Sequence, residues 1–280
     1  MSEPRRVIVE VRWGPLASRK AIVRPGETLT VGRTTRSALV IPHDLGMSAV
    51  HFAIQWDGER CWLEDLKSAK GTELDGEPVT RAEVAHGSWI QAGETVFLVY
   101  YEDTRPLRED MTPAKEHALA VLRAEEAPLF AVFDPTRGDA VLELLRESVE
   151  EYRSLYDGTQ GAAMQEVAPH VVTLAPGSSL LERMVREGWG RRWGIYFTCP
   201  RSIEKVRTHL RRFLMVRDDE SGKKLYFRYY DPGVLRVFLP ACTPGQQAQF
   251  FGELGCFILE GNEGQVLRFD PPSGAALEAR

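Results

Sequence analysis

The chain has 280 residues, with 35 Lys/Arg against 40 Asp/Glu and 43% hydrophobic residues. That length accommodates two ordinary domains, and the acidic balance (formal net charge -5) argues against a general nucleic-acid binder, which is normally basic. No stretch approaches the roughly 18 apolar residues of a membrane span. Glu10 and Arg12 interrupt the apolar run after Arg5 and Arg6, so no signal-peptide core is expected. Cys61, Cys199, Cys242 and Cys256 are scattered without a C-x-x-C pair, which fits reduced thiols and a cytoplasmic location.

Residues 5–101 read as strand after strand. Val7, Val9 and Val11 alternate with other residues, and similar runs follow at 28–33, 38–42, 51–57, 60–66 and 95–101. Pro25-Gly26, Asp57-Gly58, Asp75-Gly76 and Ala92-Gly93 mark turns between them. Short strands at this spacing predict an all-β sandwich over residues 1–103. Residues 104–127 carry Pro106 and Pro113 and predict a polar linker with a short helix opened by Thr112-Pro113.

The second half, residues 128–270, predicts a mixed α/β (α+β) domain. A strand is expected at 130–134, then a helix carrying Val141, Leu145, Val149, Tyr152 and Tyr156. Ser179 and Glu182 form a capping-box pattern, with Gly188 as the stop. Ser202 is expected to cap a helix with Ile203, Val206, Leu210 and Phe213 on its apolar face. Strands are expected at 193–199, 224–230, 234–239, 256–260 and 265–269, with a short helix from Thr243-Pro244. Residues 271–280 read as a flexible tail.

Three fragments carry chemistry in the first half: Gly32-Arg33, then Ser48-Ala-Val-His51, then Asp65 to Thr72 with Lys70-Gly71-Thr72 at its end. In this order and spacing they resemble the forkhead-associated (FHA) domain. The resemblance implies a phosphothreonine reader on loops at one end of the sandwich. Arg33 is then the guanidinium fork for phosphate oxygens and Ser48 a hydroxyl donor. Lys70, Gly71 and Thr72 complete the candidate phosphopeptide set, while Gly32 and His51 are structural. The chain departs from the family at Ala49, where Arg or Asn is usual, and at Lys70, where Asn is usual. Lysine supplies a point charge rather than a shaped contact. Two readings therefore stay open, a retained phosphothreonine reader or loops kept only as fold determinants.

In the second half the sharpest fragment is Phe227-Arg228-Tyr229-Tyr230-Asp231-Pro232, preceded by Trp189-Gly190 and Trp193-Gly194. This succession resembles a domain of unknown function found in type VI secretion effector adaptors. The resemblance implies a non-enzymatic chaperone that binds an effector and loads it onto the VgrG spike. Arg228, Asp231 and Pro232 are expected as a structural motif at a strand end. From Arg183 to Arg236 fourteen Lys/Arg face six Asp/Glu, and Lys205, Arg207, Arg211 and Arg212 read either as a solvated helix face or as a docking patch for an acidic partner. The expected partners are an effector, the spike protein and a threonine-phosphorylated protein, with no nucleic acid and no membrane. The alternative is a phosphothreonine-dependent signalling scaffold not dedicated to effector loading. A cryptic enzyme using Asp134, Asp231 and His170 is a third reading. No catalytic, nucleotide-binding or metal motif is found, so no cofactor and no metal are expected.

Overall fold

The computed structural model describes residues 5–102, 111–156, 164, 166–217 and 222–272. Two compact units are present. One is Met1–Arg105 with Arg146–Glu151, and the other is Pro106–Leu145 with Tyr152–Arg280. The expected tail at 271–280 and the start of the expected linker lie largely outside the described residues.

The first unit is a sandwich of two sheets. One sheet runs β2 (Lys20–Val23), β1 (Val7–Val11), β11 (Thr95–Tyr101), β10 (Trp89–Ala92), β7 (Thr72–Leu74) and β8 (Glu77–Val79). The other runs β4 (Leu39–Val40), β3 (Thr28–Gly32), β5 (Phe52–Trp56), β6 (Cys61–Asp65) and β9 (Arg81–Val84). Only the short β3–β4 pairing is parallel among these. Val7, Val9 and Val11 are fully buried and share a core with Val31, Ile54, Leu63 and Val99. Phe52 of one sheet meets Phe97 of the other edge-on, with centroids 5.3 Å apart. Asp75 and Gly76 join β7 to β8 with both φ angles positive (52° and 90°), the signature of a two-residue hairpin turn that matches strand twist.

The second unit is a six-stranded antiparallel sheet with helices on both faces. Its order is β13 (Tyr152–Ser154), β14 (His170–Leu174), β12 (Leu129–Phe133), β15 (Gly194–Thr198), β18 (Phe257–Glu260) and β19 (Val266–Phe269). In β12, Leu129, Ala131 and Phe133 enter one core, and Phe130 and Val132 enter the other. Successive side chains of a strand point to opposite faces, so a strand buried on both sides reads as a continuous apolar run. The first core is covered by α1 (Pro113–Arg123), α2 (Ala140–Arg146) and α3 (Ser179–Gly188). The second is covered by α4 (Ile203–Arg211), α5 (Pro232–Ala241) and α6 (Pro244–Phe251). A separate ribbon pairs β16 (Met215–Arg217) with β17 (Lys224–Tyr226).

Several local expectations are corrected. The helical pattern from Val141 to Tyr156 stops at Arg146, and Tyr152 instead pairs with Val172 at the sheet edge. The strand expected at 234–239 is helix α5: Asp231 caps it by accepting from the Gly233 N–H, Pro232 occupies its first turn, and Leu235 and Leu239 are buried four apart. Pro232 therefore starts a helix rather than ending a strand. The cap of α3 is Ser178, one residue before the expected Ser179, and it accepts from the Leu181 N–H. Ser202 stands at the N-cap of α4 but makes no side-chain capping bond.

Helix α1 falls in the segment read as linker, yet Ala118, Leu119 and Leu122 are buried in the core of the second unit. Lys115 Nζ also donates to the Arg186 carbonyl of α3, at 2.5 Å. Leu122→Ala should therefore destabilise the second unit by about 2–5 kcal/mol, the cost of emptying a buried leucine site. Denaturant unfolding followed by tryptophan fluorescence checks this, and an unchanged midpoint would make α1 a surface appendage.

Candidate functional site

The loops at one end of the sandwich follow β3, precede β5 and follow β6. His51, fully buried, holds two of them together. Its Nδ1 accepts from the Ser48 N–H at 3.0 Å, which leaves the ring proton on Nε2 to donate to the Gly71 carbonyl at 2.9 Å. Gly71 sits at φ +79°, where a side chain would be strained. Gly32 is fixed by space: a Cβ there would run into the Ala49 carbonyl and the Ser37 hydroxyl.

Arg33 is half-buried. Its backbone N–H donates to the Ser48 carbonyl at 2.9 Å and its Nε to the Met47 carbonyl at 3.2 Å. These bonds anchor the side chain, and its terminal nitrogens have no partner among the described residues. The Ser48 hydroxyl accepts from the Ala69 N–H at 3.0 Å, which leaves its O–H available as a donor. Lys70 is exposed, and its ammonium lies over Gly46, where a Cβ would stand only 2.9 Å from Nζ. Arg33, Ser48 and Lys70 thus come from three loops tied by one hydrogen-bond network.

Thr72 is different. It is buried, and its hydroxyl donates to Asp65 Oδ1 at 2.7 Å, so it braces the loop instead of facing a ligand. Asp65 also accepts from the N–H and the hydroxyl of Ser68. Burial alone raises its pKa, but the bonds from Ser68 and Thr72 outweigh burial and hold it below the ordinary carboxylate value. The sequence reading missed a matching brace, the buried Asp44. It accepts from the Gly46 and Glu94 N–H groups and from Thr95 Oγ1 at 2.6 Å. The Asp-x-Gly spacing of Asp44 and Gly46 was its signal.

In the second unit, Arg228 and Asp231 are joined only through the backbone, the Asp231 N–H donating to the Arg228 carbonyl at 3.0 Å, and their side chains pair elsewhere. Arg228 pairs with the buried Asp134 at the end of β12. Asp134 also accepts from the N–H and hydroxyl of Thr136. The buried Asp231 is held by Arg192 (Nε 2.9 Å and Nη2 2.8 Å) and by Arg137. A Cβ at Gly233 would displace the Arg192 guanidinium from where it pairs with Asp231. Burial pulls the Asp231 carboxyl upward, but Arg192, the Gly233 N–H and Arg137 together hold it below the ordinary value. Both carboxylates are thus saturated by cations, and His170, at the start of β14, packs edge-on against Tyr152. Among the described residues no group of three or more His, Cys, Asp or Glu is placed to hold a metal ion, and no helix is long and apolar enough to cross a membrane.

The basic helix α4 splits in two. Arg207 donates to the Ser154 and Tyr156 carbonyls (2.6 and 3.0 Å), and Arg211 donates to the Leu155 carbonyl (3.1 Å). These two arginines hold the chain leaving β13 and are not a free docking face. Lys205 and Arg212 are exposed and line a groove of about 560 Å³ between α4 and α6, together with His209, Gln249 and the Arg201–Glu253 pair.

Residues 29–93 match the family model of the FHA domain, and residues 129–249 match the Domain of unknown function DUF4123. The chain joins an FHA domain to a DUF4123 domain. DUF4123 is known from type VI secretion effector adaptors, and both families are interaction-type domains rather than enzyme families. FhaA of Mycobacterium tuberculosis is 34% identical over 77 residues, covering 28% of this chain and 14% of its own length. An FHA domain-containing protein of Arabidopsis thaliana is 33% identical over 92 residues, covering 31% of this chain and 24% of its own. The chain therefore spans a quarter or less of these relatives. Among solved structures, the FHA domain of an Arabidopsis thaliana hypothetical protein is 28% identical, with a TM-score of 0.34, and the match covers 37% of this chain and 91% of that one.

The arginine centre of the DUF4123 domain has a pH signature. A carboxylate held below its unfolded pKa contributes stability that is present above the unfolded value, about 4, and is lost as pH falls through the lower folded value. Asp231→Asn should lower stability at neutral pH and flatten its fall below about pH 4. Denaturant midpoints measured across that range check it, and parallel curves for wild type and variant would remove Asp231 from the acid response.

Proposed function

We propose that this chain is a non-enzymatic adaptor with two binding modules. The FHA domain captures a threonine-phosphorylated protein, and the DUF4123 domain binds a type VI effector and helps to load it onto the VgrG spike, in the cytoplasm. Arg33 carries the first half of this reading. It is anchored by its backbone N–H on the Ser48 carbonyl and by its Nε, and among the described residues its terminal nitrogens have no partner. That arrangement suits a phosphate group with its charge of about -1.5 to -2 at neutral pH. A solved relative that is 30% identical, with a TM-score of 0.32 and a match covering 36% of this chain and 99% of its own, comes from work on phosphothreonine-dependent FHA interactions. Lys70 contributes charge without oriented geometry, which favours weak and salt-sensitive binding.

The second half rests on the DUF4123 match and on the surface that α4 leaves open. Lys205 and Arg212 flank the groove against α6 and suit an acidic stretch of an effector, whereas Arg207 and Arg211 are committed to the fold.

Arg33→Ala should weaken a phosphothreonine peptide by about 10- to 150-fold, the range for losing a hydrogen bond to a charged group. Titration of the full chain checks this, and unchanged affinity would refute the site. Effector capture from the native host should survive phosphatase treatment, because it belongs to the other domain. Lys205→Glu with Arg212→Glu should weaken that capture; if the folded double variant retains full capture, the groove is not the effector surface.

A further inference from the structure

The three loops around Arg33 and Ser48, residues 33–38, 41–51 and 66–71, carry four cations and one carboxylate in a chain of net charge -5. The cations are Arg33, Arg36, Lys67 and Lys70. The carboxylate is Asp44, which is buried with both oxygens already hydrogen-bonded. Among the described residues none of the four cations has a carboxylate within ion-pair distance. Arg36, Lys67 and Lys70 are exposed. A phosphate at Arg33 and Ser48 accounts for Arg33 and Lys70, and it leaves Arg36 and Lys67 without a role.

Their loops are each tied by hydrogen bonds to residues 48–51. In one, the hydroxyls of Thr34 and Ser37 both donate to the Ala49 carbonyl at 3.1 Å, which pins the turn that carries Arg36. In the other, the Leu66 N–H donates to the His51 carbonyl at 2.9 Å, and the Ala69 N–H donates to Ser48 Oγ at 3.0 Å. Lys67, between them, is held at φ +57°, a conformation that non-glycine residues seldom adopt. Cations on a pinned backbone lose less conformational freedom on binding than cations on a mobile one.

From this placement we infer that the segment read by the FHA domain carries acidic residues, or a second phosphate, flanking the phosphothreonine, with Arg36 and Lys67 selecting them. The inference rests on the phosphothreonine reading proposed above. It adds a specificity that the phosphate contacts alone do not supply.

The test uses the full chain and three synthetic peptides: one phosphothreonine flanked by alanines, the same phosphothreonine flanked by glutamates, and the glutamate-flanked peptide without phosphate. Exposed ion pairs are each worth up to about fivefold in affinity. The glutamate-flanked phosphopeptide should therefore bind about tenfold tighter than the alanine-flanked one at about 0.02 M salt, and the ratio should approach one at about 0.5 M. In Arg36→Ala/Lys67→Ala, whose side chains are exposed and bear no structural hydrogen bond, the low-salt ratio should drop below about threefold. Equal affinity of wild type for the two phosphopeptides overturns the inference and leaves the phosphothreonine reading intact. A tenfold ratio that persists in the double variant, or that does not respond to salt, also overturns it. Binding of the unphosphorylated glutamate peptide as tightly as its phosphorylated form, or binding of none of the three, overturns the phosphothreonine reading and this inference together.

Discussion

A single buried imidazole sets the geometry of the recognition end of the FHA domain. His51 lies in the interior, where an unpaired ring nitrogen is costly, and both of its nitrogens are bonded, one to each of two loops. The consequences run outward through the backbone. Ser48 is oriented because its N–H is held, Ala69 because it donates to the Ser48 hydroxyl, and Gly71 because its carbonyl receives the ring proton. Lys70 stands between those last two fixed residues, so the base of its side chain is placed although the side chain itself is exposed. Asp65 and Asp44 repeat the device at lower cost, each collecting several donors on one carboxylate. The candidate phosphate-binding residues are thus positioned by a buried histidine and two hydrogen-bonded aspartates.

The DUF4123 domain solves a similar problem with full charges. Asp134 ends a central strand and Asp231 begins a helix nearly a hundred residues later, and Arg137, Arg192 and Arg228 tie the two to each other's neighbourhood. Glu260, also buried, takes the N–H groups of Gly190 and Arg192 and secures the turn that delivers one of those arginines. Each carboxylate is buried and holds two arginines, so the loss of one cation leaves a second in place, whereas a buried carboxylate stripped of all its cations is strongly destabilising. Because the partners are remote in sequence, the network fixes which strand end meets which helix start. The F-R-Y-Y-D-P run is therefore an architectural junction. Its tyrosines join in: Tyr229 donates to the Leu210 carbonyl of α4, and Tyr230 stands in a chain of hydroxyls with Tyr226 and Tyr156.

How legible these features were in the sequence depended on whether the information was local. Arg33, Ser48, His51 and Gly71 were readable because the motif spacing places them on adjoining loops. Thr72 was assigned to the wrong side of its loop, since only the fold shows that its hydroxyl turns inward to Asp65. Strands β7 to β9 went unread, being three or four residues long and largely polar, stabilised by pairing with their neighbours and not by burial. Residues 234–239 are rich in valine, leucine and phenylalanine and read as strand; the Asp231 cap and Pro232 decided for helix. Tyr152 kept a helical period with Val141 and Leu145, but a vacant sheet edge beside β14 outweighed it. The arginine that hydrogen-bonds Asp134 and the two that hold Asp231 lie 39 to 94 residues away in sequence, beyond any local pattern.

Helix α4 separates two kinds of evolutionary freedom along one short stretch. Arg207 and Arg211 satisfy backbone carbonyls, so their replacement changes the fold first. Among the described residues Lys205 and Arg212 have no hydrogen-bond acceptor, so they are able to drift or reverse sign while the scaffold stays as it is. Substitutions at those two positions cost the fold little, whereas substitutions at Arg207 and Arg211 strip partners from the carbonyls of residues 154–156.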